Sequence, residues 1–121
     1  MAKRILTVDD SNTMRDMVSF TLKKAGYEVG EAEDGKVALT VLAGAKFDLI
    51  ITDLNMPNMD GITLIKNVRS DARYRGVPIL ILTTESDDKK KGDGKAAGAT
   101  GWLVKPFSPE KLIELIQRVC P

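Results

Sequence analysis

Five short runs of aliphatic and β-branched residues recur along the chain, at Ile5–Val8, Glu28–Ala32, Leu49–Thr52, Ile79–Leu82 and Leu103–Val104, with longer stretches between them. Parallel neighbours in a sheet need a crossover long enough to hold a helix, so this alternation implies βαβ units and a parallel sheet. The expected class is α/β, a doubly wound five-stranded parallel sheet with helices on both faces. A length of 121 residues fits one such domain with one core. A single domain over 1–121 without an output domain is expected, and its output must then come from its own surface.

The intervening stretches carry helix signals of unequal strength. From Ser11 to Ala25, Met14, Met17, Val18 and Leu22 fall at helical spacing and Gly26 supplies a stop. These methionines read as core filling, since thioether ligands want soft partners that this sequence lacks. A second helix is expected from about Gly35 to Leu42, and a third from about Gly61 to Ser70 with Ile62, Ile65 and Val68 on one face. The last has the cleanest pattern: Ser108 as N-cap, Pro109 at the first helical position, then Leu112, Ile113, Leu115, Ile116 and Val119 as an apolar stripe. Between the fourth and fifth runs, Lys89–Lys95 has no apolar stripe and includes Gly92 and Gly94, each costing roughly 1 kcal/mol against Ala. A helix there is expected to be marginal.

Composition removes several function classes. Lys and Arg total 18 against 17 for Asp and Glu, a formal net charge of +1, so no overall field favours nucleic acid or a membrane surface. The chain contains no His, which excludes His metal sites, His general bases and Ser-His-Asp triads. Met1-Ala2-Lys3-Arg4 leads into an apolar run that Asp9 and Asp10 end too soon for a signal peptide or membrane span. A soluble cytoplasmic protein is expected. The single cysteine, Cys120, fits a reducing compartment and reads as a buried or frayed thiol at a helix end.

Open parallel sheets bind ligands beyond the carboxyl ends of their strands, where the winding reverses. The residues that end strands therefore carry the information: Asp9 and Asp10 on the first, Asp53 on the third, Thr83 and Thr84 on the fourth, Lys105 and Pro106 on the fifth. In the flavodoxin-like order 2-1-3-4-5 the first and third strands are neighbours, and their three carboxylates share one crevice. Clustered carboxylates repel one another and oppose folding unless a hard cation takes up the charge. Mg²⁺ is the natural occupant, since it takes one or two carboxylates and leaves places for water and phosphate oxygens. Aspartates at strand ends also serve as helix caps, and Asp10 before Ser11 could do that. The joint placement of Asp9, Asp10, Asp53, Thr83 and Lys105 favours a site.

A carboxylate can attack phosphorus and form an acyl phosphate. Asp53 stands alone at the end of the run Leu49–Thr52, whereas the Asp9-Asp10 pair is better suited to a metal. Phosphoryl transfer rests on positioning and charge stabilisation, so Mg²⁺ and the Lys105 ammonium would neutralise the equatorial oxygens while Thr83 donates its hydroxyl. The following loop, Leu54-Asn55-Met56-Pro57, can present a backbone carbonyl to the cation.

Four stretches carry a resemblance: Val8-Asp9-Asp10-Ser11, Asp53-Leu54-Asn55-Met56-Pro57-Asn58-Met59-Asp60-Gly61, Leu82-Thr83-Thr84-Glu85 and Gly98-Ala99-Thr100-Gly101-Trp102-Leu103-Val104-Lys105-Pro106-Phe107. In this order and spacing the chain resembles a bacterial response-regulator receiver domain, in the style of the stand-alone CheY chemotaxis regulators. The resemblance implies that Asp53 is phosphorylated by a phosphohistidine of a sensor kinase. It implies Mg²⁺ held by Asp10, Asp53 and the Asn55 carbonyl, with Asp9 helping through water, and a phosphoryl group bound by Thr83 and Lys105. It also implies a cis bond before Pro106, and a switch in which Thr83 moves toward the phosphate and an aromatic on the fifth strand swings inward. Asn55 and Glu85 flank the expected path of attacking water and match a short-lived phosphoryl state.

By position the aromatic is Trp102, where the family usually has Tyr or Phe, so it is read either as the relay or as a half-buried aromatic without a switching role. Output is expected on a face built from the fourth helix, fifth strand and fifth helix, toward a protein target such as a flagellar motor switch. A phosphate sink or relay shuttle is the alternative. The lysine-rich segment reads as a solvated surface or as a face for an acidic partner. No direct nucleic-acid or membrane contact is expected, and the chain should act as a monomer.

Two other classes are disfavoured. A haloacid-dehalogenase-type phosphatase would want a second Asp two residues after the nucleophile, where this chain has Asn55. A dinucleotide binder would want its glycine fingerprint after the first strand, whereas Gly92, Gly94 and Gly98 lie elsewhere with a different spacing.

Overall fold

The computed structural model describes residues 2–84 and 87–121. Its elements run β1 (Arg4–Val8), α1 (Asn12–Lys24), β2 (Glu28–Ala32), α2 (Gly35–Gly44), β3 (Leu49–Thr52), α3 (Gly61–Ser70), a 3-10 turn (Ala72–Tyr74), β4 (Ile79–Thr83), α4 (Asp88–Ala97), β5 (Gly101–Val104) and α5 (Pro109–Val119). The strands form one parallel sheet, as the alternation of runs predicts, and stand in the flavodoxin-like order β2-β1-β3-β4-β5. Among the described residues no helix is long and apolar enough to cross a membrane.

Alternation along the strands divides the core in two, because successive side chains point to opposite faces. Leu6, Ile50, Ile79 and Ile81 join Ala38, Leu42, Leu64, Ile65 and Val68 from α2 and α3 on one side. Ile5, Leu49, Ile51, Leu80 and Leu82 join Val18 and Leu22 of α1 and Leu112 and Ile116 of α5 on the other. The central strands β3 and β4 are buried along their whole length, which is why they read as unbroken apolar runs. Cys120 is buried against the second cluster, with its thiol 3.7 Å from the Asp48 carbonyl.

Two elements differ from the sequence reading. Strand β5 begins at Gly101, earlier than the apolar pair Leu103-Val104 suggests, because Gly101 and Trp102 pair with Leu80 and Ile81. The fit at Gly101 is close: a Cβ there would lie 2.8 Å from Leu80 Cδ2, so a larger residue would have to move that methyl. The second difference is α4, expected to be marginal and found as ten residues of helix. It is closed at both ends, by the Asp87 side chain accepting from Lys89 N and by Gly98 in the left-handed region at φ 118°, with its N–H donating to Gly94 O and Lys95 O.

Candidate functional site

The winding reverses between β1 and β3, and the strand ends there place three carboxylates together. One carboxylate oxygen from each of Asp9, Asp10 and Asp53 lies within 4.8 Å of the others. Asp9 follows β1 and is buried. Its Oδ1 accepts from Ser11 N at 2.9 Å and its Oδ2 from Lys105 Nζ at 3.0 Å. Asp53 follows β3 and is half-buried; its N–H donates to Val8 O at 2.9 Å, which ties it to the neighbouring strand. Its Oδ1 accepts from Leu54 N at 2.7 Å, and its Oδ2 faces Lys105 Nζ at 3.3 Å.

Asp10 is exposed and does not cap α1: Ser11 does, its hydroxyl accepting from Met14 N at 3.2 Å. The capping account of Asp10 is thereby answered, and its carboxylate is directed to the cluster. Three carboxylates facing one ammonium leave two formal negative charges uncompensated, the charge of one divalent cation. The donors are all oxygen, which suits a hard cation and not a soft one, so the residues present fit Mg²⁺. The side chains of the Lys105–Asp9 and Lys105–Asp53 pairs are at most 13% exposed, so these charges interact through a medium that screens them weakly.

Thr83 closes β4, is fully buried, and its carbonyl accepts from Lys105 N at 2.8 Å, which draws the ends of β4 and β5 together. Asn55 lies exposed in the loop two residues beyond Asp53. The Lys105–Pro106 peptide is cis. Trp102 sits outside the carboxylate cluster, half-buried on β5 and in register with Ile81. Glu85 lies outside the described residues.

A family model described as the response regulator receiver domain matches residues 5–117. The chain belongs to this family. Chemotaxis protein CheY1 of Helicobacter pylori is 44% identical to this receiver domain over 118 residues, which are 96% of this chain and 95% of that one. The solved structure of the chemotaxis response regulator CheY4 of Vibrio cholerae superposes with a TM-score of 0.94 at 54% identity, covering 98% of this chain and 99% of the other. A receiver domain of a sensor histidine kinase from Pseudomonas aeruginosa, with a TM-score of 0.91 and 28% identity over 99% of this chain and 98% of that one, has a magnesium ion coordinated in its active site cleft. The receiver domain described here is thus of the CheY chemotaxis type, a two-component signalling protein and not a conventional enzyme.

Three supports of the receiver site escaped the sequence reading. The Arg15 guanidinium donates to Asp9 O at 2.6 Å and pairs with Glu31 at 3.2 Å, fixing the backbone that carries Asp9; a lone Arg on a helix gives no sequence signal for this. Gly61 opens α3 where a Cβ would collide with the Asp53 carbonyl, and its place just after the cap Asp60 was the available hint. Asp34 caps α2 and also accepts from Asn58 Nδ2 at 2.9 Å, which ties the loop after Asp53 to the rim. The N–H of Val37 and the Asn58 amide hold the Asp34 carboxyl below its ordinary range. A cavity of about 650 Å³ lies elsewhere, between α1 and α5, lined by Met17, Phe20 and Ile113 among others. None of Asp9, Asp10, Asp53, Thr83 and Lys105 lines it, so it is not where the carboxylate chemistry resides.

Proposed function

We propose that the protein is a phosphorylation-activated switch in which Asp53 accepts a phosphoryl group. The observation that carries this reading is the convergence of Asp9, Asp10 and Asp53 with Lys105 at the strand ends. Asp53 is the nucleophile. Its Oδ2 attacks phosphorus, an O–P bond forms, and the P–N bond of a phosphohistidine on a sensor kinase breaks with its electron pair leaving on the imidazole.

Asp10 and Asp53 with the Asn55 carbonyl would hold Mg²⁺, with Asp9 assisting through water, and the ion would supply charge neutralisation to the phosphoryl oxygens. The Lys105 ammonium turns from the carboxylates to an equatorial oxygen as charge builds there, and Thr83 donates its hydroxyl to another. Leu54 N–H keeps the Asp53 carboxylate oriented. With Asn55 where a second acid would be needed, the chain handles its own phosphoryl group and is not a general phosphatase.

Trp102 relays the change to the surface formed by α4, β5 and α5, where a protein target such as a flagellar motor switch docks. A cytoplasmic monomer is the simplest form of this reading, since one chain carries every residue of the site.

Ligand binding to the native state stabilises it by mass action, by about 1–3 kcal/mol at saturating concentrations. Millimolar Mg²⁺ should therefore raise the melting midpoint of the wild type and raise it much less in Asp10→Asn. An unchanged wild-type midpoint contradicts the metal site.

A further inference from the structure

Helix α4 buries one residue against the sheet, and that residue is a glycine. Residues 88–93 are exposed throughout, and Gly94 is buried. The two glycines of the helix differ in what surrounds them. A Cβ on Gly92 would meet nothing within 4 Å. One on Gly94 would lie 2.9 Å from Ile81 Cδ1 and 3.1 and 3.5 Å from Cζ3 and Cε3 of Trp102. The first two spacings are shorter than the roughly 3.5–4.0 Å at which carbon atoms attract. The six-membered edge of the indole thus rests against bare helix backbone.

The surrounding contacts make this a defined seat. Trp102 is half-buried, packs with Ala97 and Ala99 against the core cluster that includes Ile81, and is held in register with Ile81 by the β4–β5 ladder. The C-terminal end of α4 is fixed just beyond the seat, because Gly98 O accepts from Arg69 Nε at 3.1 Å and from the terminal guanidinium nitrogen at 2.8 Å. The same strand that carries Trp102 carries Lys105, whose N–H is bonded to Thr83 O. A displacement of Thr83 or Lys105 therefore acts on β5, and position 94 puts no side chain between the ring and the helix.

We infer that Gly94 is a positioning residue that seats the Trp102 ring beneath α4. The size of residue 94 sets whether the ring stays under the helix, and how closely α4 approaches the sheet. The seat stands on the packing alone; its role in signalling rests on the proposed phosphorylation of Asp53.

Trp102 is the only tryptophan of the chain, so its fluorescence reads the seat directly. The experiment compares wild type, Gly94→Ala and Gly92→Ala by acrylamide quenching and emission maximum, before and after beryllofluoride with Mg²⁺. An added methyl displaces the packed ring, so Gly94→Ala should raise the quenching constant by about twofold, shift emission to the red and lose at least about half of the beryllofluoride response. Gly92→Ala should match wild type in all three. Wild-type quenching in Gly94→Ala overturns the inference. If Gly94→Ala fails to fold, the same substitution in a Trp102→Leu background decides: a folded double variant supports the seat, and an unfolded one places the constraint on Ile81 and overturns it. A flat wild-type response to beryllofluoride beside raised quenching in Gly94→Ala supports the seat and counts against the Asp53 reading alone.

Discussion

Helices α5 and α4 lie against opposite faces of β5 and are held there by different means. Helix α5 sinks Leu112 and Ile116 fully into the second core cluster and is capped by Ser108 with Pro109 behind it. Helix α4 sinks only Gly94; its ends are closed by Asp87 and Gly98, and the Arg69 guanidinium grips the turn that follows. Burial anchors one helix through transfer free energy, whereas hydrogen bonds and a close backbone contact hold the other. Elements with few buried apolar contacts populate the low end of local stability, which suits α4 to shift when the strand beneath it moves.

The comparison is open to attack at several scales. The largest effect is expected from Leu112→Ala, where cavity formation in the α5 core should cost about 2–5 kcal/mol by chemical denaturation. A loss below about 1 kcal/mol would mean that α5 is not anchored by burial. Next is Arg69→Met. Its guanidinium also donates to the carbonyls of Tyr74 at 2.8 Å and Val77 at 2.6 Å, so these acceptors and Gly98 O lose a charged donor together. About 2–3 kcal/mol should be lost, and hydrogen exchange should show the C-terminal turn of α4 opening more often. Unaltered exchange in that turn would remove Arg69 from the account of α4.

The smallest effect has the opposite sign. Gly92 is exposed with open space around it, so Gly92→Ala should stabilise the protein by about 0.5–1 kcal/mol through the backbone entropy of the unfolded chain. Destabilisation by the same substitution would show that α4 depends on its glycines for more than the Trp102 seat.

The same contrast explains what could be read from the sequence. The parallel sheet of alternating strands and helices and the buried face of α5 follow from periodicities of two and 3.6, because burial writes those patterns into residue type, whereas the order of the strands does not. Asp9, Asp53, Thr83 and Lys105 were legible because the ends of parallel strands are where a site must form, and the structure brings them together there. Helix α4 was not legible as a full helix, since what holds it is a distant Arg69 and the absence of a side chain at Gly94, and neither has a periodic signature. Trp102 and the glycine-lysine segment look like two separate departures in the sequence. In the fold they are one contact.

The central claim is that Asp53 is the phosphoacceptor, and its most direct test is covalent. Wild type and Asp53→Asn are incubated with acetyl phosphate and Mg²⁺ and examined by intact mass and peptide mapping. The account predicts a single phosphoryl adduct on wild type, mapped to Asp53, dependent on Mg²⁺ and lost in the variant. An adduct that persists in Asp53→Asn, or that forms equally well without Mg²⁺, contradicts it.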